Sequence, residues 1–82
     1  MDQRTQTQAK TPALAQCLGR RIRLLRAERD WSQEDLAARA GLHRNYIGHV
    51  ERGELNISVL QLTKIAQAFG VRVGVLVDSL LL

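Results

Sequence analysis

The stretch "WSQEDLAARAGLHRNYIGHVERGE", residues 31–54, constrains the fold more than any other part of the chain. Ser32 is a strong N-cap, and Gln33, Glu34 and Asp35 after it suit the electropositive first turn of a helix. Leu36, Ala37 and Ala40 form one narrow apolar stripe, and Gly41 supplies a left-handed stop. The result is a helix of only about eight residues followed by the turn "GLH". A second short helix runs from about Arg44 to Arg52 and ends at Gly53.

Placing that second helix on a wheel at about 100° per residue divides it cleanly. Counting from Arg44, Tyr46, Val50 and Ile47 fall at roughly 200°, 240° and 300° and form an inner face. Arg44, Gly48, Arg52, Asn45 and His49 fall between roughly 0° and 140°, so the opposite face offers hydrogen-bonding groups around a glycine. Glu51, at about 340°, sits on the border between them.

The flanks read as further helices. Residues 1–10 are polar and are expected to form a disordered arm. Thr11 can cap and Pro12 fits a first helical position, after which Leu14, Leu18, Ile22 and Leu25 recur at helical spacing to about Glu28. Gly19 inside this helix either permits close packing or marks a later start. Beyond "GELN", Ser58 with Gln61 fits a capping box, Leu62, Ile65, Ala66 and Phe69 form a core stripe, and Gly70 ends the helix. The last segment, "VRVGVLVDSLLL", alternates like a strand at Val71, Val73, Val75 and Val77 yet also carries a helical stripe. Helix is favoured, because a lone strand would leave its backbone unpaired.

With 82 residues, the chain is one small domain with little core to spare, so a self-association surface would help it. Leu80, Leu81 and Leu82 are more apolar surface than a small monomer should expose. The net charge of +4 is unevenly placed. Residues 1–30 hold seven basic side chains against Asp2, Glu28 and Asp30, whereas the remainder balances. A basic surface at one end suits a polyanion. A single cysteine, Cys17, rules out an internal disulfide and suits the cytoplasm. Neither a signal peptide nor a membrane span is evident.

Two short helices joined by a three-residue glycine turn match the helix-turn-helix unit, whose second helix enters the DNA major groove and presents its N-terminal residues to base edges. Arg suits the two acceptors of guanine and Asn the acceptor–donor pair of adenine. "SQEDLAARAGLHRNYIGHVERGE" with "ISVLQLTKIAQAFGV" resembles the Cro/C1-type (XRE) helix-turn-helix domain over about residues 18–77. Within that family "GLHRNYIGHVERGELNIS" is most similar to the small controller proteins of bacterial restriction–modification systems.

The resemblance implies roles for particular residues. Arg44, Asn45 and His49 would read bases. Gln33, His43, Arg26, Arg52 and Asn56 would contact phosphates, with His43 also capping the second helix. Arg26 and Glu51 would form a structural ion pair. His49 and Asn45 stand where controllers more often have Ser and Thr, so no target sequence is carried over.

Other readings fit less well. His43 and His49, six apart, point about 240° away from each other, whereas helical zinc ligands sit at i and i+4, so no metal site is expected. No Ser-His-Asp spacing, phosphate loop or carboxylate pair appears, so no catalytic residues, enzyme activity, cofactor or small-molecule ligand are expected. The serious alternative is an antitoxin-like module whose apolar tail binds another protein. The expectation is therefore an all-α, compact five-helix, lambda-repressor-like helix-turn-helix domain over residues 11–82 after the 1–10 arm. It would act in the cytoplasm as a homodimeric regulator binding a pseudo-palindromic, autoregulatory DNA operator, with RNA polymerase a further candidate partner. Val75, Leu76, Leu80, Leu81 and Leu82 would form the dimer contact.

Overall fold

The computed structural model describes residues 3–78, with side chains from residue 13 onward. Among these residues there are five helices: α1 (Gln3–Glu28), α2 (Gln33–Ala40), α3 (Arg44–Glu51), α4 (Val59–Phe69) and α5 (Val73–Val77). Local sequence signals account for most of the boundaries. The Ser32 hydroxyl accepts from the Asp35 N–H at 3.0 Å while the Asp35 carboxylate accepts from the Ser32 N–H at 2.9 Å, a complete capping box. The Ser32 backbone N–H, and after it the Ser32 side chain, hold the Asp35 carboxyl below its ordinary value. Gly41 adopts φ 69° and ψ 35°, and its N–H and that of Leu42 bond back to Ala38 and Ala37, which closes α2 and starts the turn. Ser58 caps α4 by accepting from the Gln61 N–H at 3.1 Å. The reciprocal half of that box does not form, and Gln61 Oε1 is buried without a partner among the described residues.

The five helices enclose one core. Leu18, Ile22 and Leu25 of α1 meet Leu36, Ala37 and Ala40 of α2, Ile47 and Val50 of α3, Leu62, Ile65, Ala66 and Phe69 of α4, and Leu76 of α5. α1 packs on α3 and α5, α2 on α3 and α4, and α4 on α5. Trp31, in the turn after α1, stacks on Phe69 at 5.5 Å between ring centroids, and the Arg39 guanidinium lies over the Trp31 ring at 4.2 Å from its centroid. Arg29 donates to the Phe69 carbonyl at 3.0 Å. The α1–α2 turn is thereby pinned to the end of α4 by aromatic and cation–π contacts.

Two expectations are corrected. α1 starts at Gln3, ahead of the expected Thr11–Pro12 start, and takes in residues 3–10. Gln, Arg, Ala and Lys are all good helix formers, and Pro12 within the span removes one backbone donor. Leu14 keeps the helical spacing of Leu18, Ile22 and Leu25 but is 46% exposed. It lies at the edge of the core, on a shallow groove shared with Ala15, Leu55 and Ile57. Leu76, expected at the dimer contact, is fully buried inside the protomer, where it fastens α5 to the core and has no surface left for a partner. The helical choice for residues 73–77 is the one adopted, with Arg21 Nε donating to the Val75 carbonyl at 3.2 Å. Leu80, Leu81 and Leu82 lie outside the described residues.

Gly19 resolves in favour of close packing. A Cβ there would fall 2.7 Å from the Val50 carbonyl oxygen and collide with the Glu51 carbonyl, so α1 crosses the end of α3 backbone to backbone. Gly19→Ala should therefore lower unfolding free energy by about 2–3 kcal/mol in urea titrations. Gly74→Ala, whose nearest neighbour would be an Asp78 carboxylate oxygen 3.8 Å away, should be neutral or stabilising by up to about 1 kcal/mol.

Candidate nucleic-acid interface

The site is built on a buried carboxylate. Glu51, at the last turn of α3, is only 3% exposed. Its Oε2 accepts from Arg26 Nε at 2.7 Å, and its Oε1 accepts from Arg26 Nη2 at 2.9 Å and from Gln33 Nε2 at 3.0 Å. Arg26 Nη1 also donates to the Trp31 carbonyl at 2.8 Å. One carboxylate thus ties α1, the first residue of α2 and the end of α3 into a single frame. The fork of Arg matches the carboxylate bidentately, and the third bond satisfies a lone pair that would otherwise be buried and empty. Glu51 holds the Arg26 guanidinium above its ordinary value, chiefly through the hydrogen bonds and against the cost of burial.

Above this frame lies the polar face of α3. Gln33, Arg44, Asn45, Gly48, His49 and Arg52 line one open groove. Gly48 is buried beneath them, and a Cβ there would meet Arg52 Nη1 at 3.2 Å and Gln33 Oε1 at 3.6 Å. Its bareness lets the two long side chains close over the helix. His43 is the N-cap of α3, and its Nδ1 accepts from the Asn45 N–H at 3.0 Å. Gln16, Arg20 and Arg23 of α1 line a second cleft with Arg52 and Glu51, so the basic edge of α1 continues the α3 face.

Arg44, Asn45 and His49 are all exposed on this face, as expected. Gln33 and Arg52 join them. Arg26 does the structural half of what was expected of it: three of its N–H groups are engaged, and its side chain is 18% exposed. Asn56 is exposed but lies with Leu14, Leu55 and Ile57 on the other groove, apart from the α3 face. Glu54 was missed. It accepts from Arg52 Nε at 3.0 Å and faces His49 Nδ1 at 2.7 Å. Two residues beyond Arg52 and past a helix-ending glycine, it has no helical register from which this contact could be inferred.

A groove of guanidinium, amide and imidazole groups on the second of two short helices defines a helix-turn-helix domain of the kind that binds DNA. The chain belongs to the helix-turn-helix family of DNA-binding transcription regulators: the HTH_3 family, described as Helix-turn-helix, matches residues 22–76. It is 41% identical over 61 residues to the control protein C.BamHI of Bacillus amyloliquefaciens, covering 73% of this chain and 75% of that protein. A hypothetical transcription factor from Neisseria meningitidis is 46% identical over 50 residues, which is 61% of this chain and 47% of that one, so the chain spans about half its length. The crystal structure of the restriction–modification controller protein C.AhdI from Aeromonas hydrophila superposes with a TM-score of 0.76 at 41% identity, covering 78% of this chain and 97% of that chain. No helix among the described residues is long and apolar enough to cross a membrane.

The frame makes a thermodynamic prediction. Arg26→Ala leaves the buried Glu51 carboxylate without its charge partner and should cost about 3 kcal/mol in urea unfolding, and Glu51→Ala, which strands the part-buried Arg26 guanidinium, should also destabilise. The double variant Arg26→Met, Glu51→Leu should recover most of that loss, giving a large coupling in the cycle; additive losses would contradict a shared frame. Acid should also weaken the cap of α2. Because the folded-state Asp35 value is depressed, its contribution is present above the ordinary carboxylate range and lost as pH falls through the folded value. Melting temperature should fall less steeply with acid in Asp35→Asn than in the parent.

Proposed function

We propose that the protein is a cytoplasmic, non-enzymatic regulator that reads a pseudo-palindromic operator in double-stranded DNA as a homodimer, in the manner of the controller proteins. The observation that carries this reading is the α3 face: Arg44, Asn45 and His49 stand exposed around a buried glycine, framed by Gln33 and Arg52. Arg44 and Asn45 at the start of α3 occupy the end that reaches base edges in a helix-turn-helix complex. Gln33, His43 and Arg52 surround them and fit phosphate contacts, which fix register rather than sequence. Arg20 and Arg23 extend the same surface and suit the salt-dependent part of the affinity.

A tetramer of the controller protein C.Esp1396I has been crystallised on its natural 35 base-pair operator. This chain is similar to that protein with a TM-score of 0.74 at 31% identity, over 83% of this chain and 90% of that one. Two-fold assembly would place two α3 helices in successive major grooves about 34 Å apart. Val59 and Leu60, 79% and 64% exposed at the start of α4, support a protein contact there. Val75, Leu80, Leu81 and Leu82 are proposed as further parts of the interface. Autoregulation would follow if the operator overlaps the promoter of the protein's own gene, which would also bring RNA polymerase within reach. The same apolar surface would serve an antitoxin-like complex with another protein, and sedimentation of the purified chain separates the two: self-association favours the operator reading.

Selection of bound duplexes from a random pool tests the function. A palindrome with two half-sites is expected, and an empty selection would overturn the reading. On the selected site, Arg44→Ala should relax preference at one base pair per half-site by about 1–3 kcal/mol. Gln33→Ala should weaken all sequences alike. Arg20→Ala and Arg23→Ala should each reduce the slope of log affinity against log salt by about one. Removal of residues 79–82 should weaken self-association, measured by sedimentation equilibrium.

A further inference from the structure

The two imidazoles of the α3 face are bonded through the same ring atom in opposite senses. His43 Nδ1 lies 3.0 Å from the backbone N–H of Asn45, a group that only donates, so Nδ1 is a bare acceptor and the ring proton is on Nε2. His49 Nδ1 lies 2.7 Å from Glu54 Oε1. Glu54 is held below the ordinary carboxylate range, first by its bond from Arg52 and then by His49, so it is an ionised acceptor. A bare ring nitrogen would meet that oxygen lone pair to lone pair, and Nδ1 of His49 therefore carries the proton. Arg52 Nη2 also approaches this nitrogen, at 3.3 Å, but a guanidinium N–H cannot bond to an N–H. The shorter distance, to a charged acceptor, decides the tautomer. Arg52 is meanwhile satisfied through Nε on the other carboxylate oxygen at 3.0 Å.

We infer that the fold fixes His43 and His49 in opposite tautomers, so that Nε2 of His43 donates and Nε2 of His49 accepts, and that Glu54 is the positioning residue that gives His49 this polarity. Neither Nε2 has a partner among the described residues. Resting on the proposed role of α3 in reading bases, the consequence is chemical. A phosphate oxygen only accepts, which matches the Nε2–H of His43. In the major groove the donors are the N4 amine of cytosine and the N6 amine of adenine, while guanine and thymine offer oxygen acceptors at the corresponding place. A neutral His49 held by Glu54 selects an amino base over a keto base on the strand it faces. Glu54 does this without touching DNA, and it anchors Arg52 at the same time.

Two measurements at about pH 8, above the ordinary imidazole range, test the inference. The chain has two histidines, so a long-range nitrogen–proton spectrum of the free protein contains two ring systems, assigned with His43→Asn and His49→Asn. One ring should be protonated at Nε2 and the other at Nδ1. Glu54→Ala should move only the His49 ring toward Nε2–H. Finding both rings in one tautomer, or a His49 ring indifferent to Glu54→Ala, overturns the assignment without any DNA being present. In selection from a random duplex pool, one position per half-site should favour adenine or cytosine over guanine or thymine by at least about fivefold. His49→Ala should erase that preference, and Glu54→Ala should reduce it below about twofold while the position read by Arg44 is unchanged. An amino-base preference that survives Glu54→Ala refutes the role of Glu54, whereas a consensus blind to His49→Ala refutes base reading by His49 itself. An empty selection refutes the DNA reading, and the spectrum tells that failure apart from a failure of the tautomer assignment.

Discussion

The carboxylate of Glu51 is the point through which the rest of the structure is held. A buried carboxylate is tolerable only when its charge is paired and its lone pairs are filled. Here the partners come from three places: Arg26 on α1 supplies the charge, Gln33 at the start of α2 supplies an amide, and the acid itself belongs to α3. Meeting that requirement fixes the angle at which α3 leaves the core. The side chains on its outer face then project from a surface whose position is set by bonds beneath it rather than by the short helix alone.

Absent side chains matter as much as present ones. Gly19 lets α1 lie against the backbone of α3 at Val50 and Glu51, which is what brings Arg26, two turns further along α1, to the Glu51 carboxylate. Gly48 leaves the centre of the outer face low enough for Arg52 and Gln33 to converge over it. The core residues Ile47 and Val50 face inward from the same eight-residue helix. Packing, ion pairing and the polar display are thus assigned to three sides of one short element, and the display can vary in chemistry with little effect on the other two sides.

Much of this was legible in the order of residues because the governing interactions are local. Ser32, Gly41, Ser58 and Gly70 act within one turn of themselves, and the helix wheel of residues 44–52 separates Ile47 and Val50 from Arg44, Asn45 and His49 without any knowledge of neighbours. Arg26 and Glu51 were paired only through resemblance to a family, since nothing local links residues in different helices. What escaped depends on tertiary context. Leu14 fits the apolar period of α1, yet the core ends before it. Leu76 was expected at the dimer contact, yet α1 and α4 leave a space that it fills. The contact of Glu54 with His49 and Arg52 arises where the chain turns back after Gly53, a geometry that periodicity does not describe.

The outer face of α3, on its Glu51 frame, is the surface proposed to meet DNA. The most direct test is a heteronuclear magnetic resonance titration of the full chain with duplex DNA, following backbone amides and the side-chain signals of Gln33, Asn45 and both histidines. The largest changes are predicted at Gln33, His43, Arg44, Asn45, His49 and Arg52, with a smaller set at Arg20 and Arg23 and the inward residues of α4 left undisturbed. Changes centred on α4 or α5, with the α3 face silent, would place DNA on a different surface.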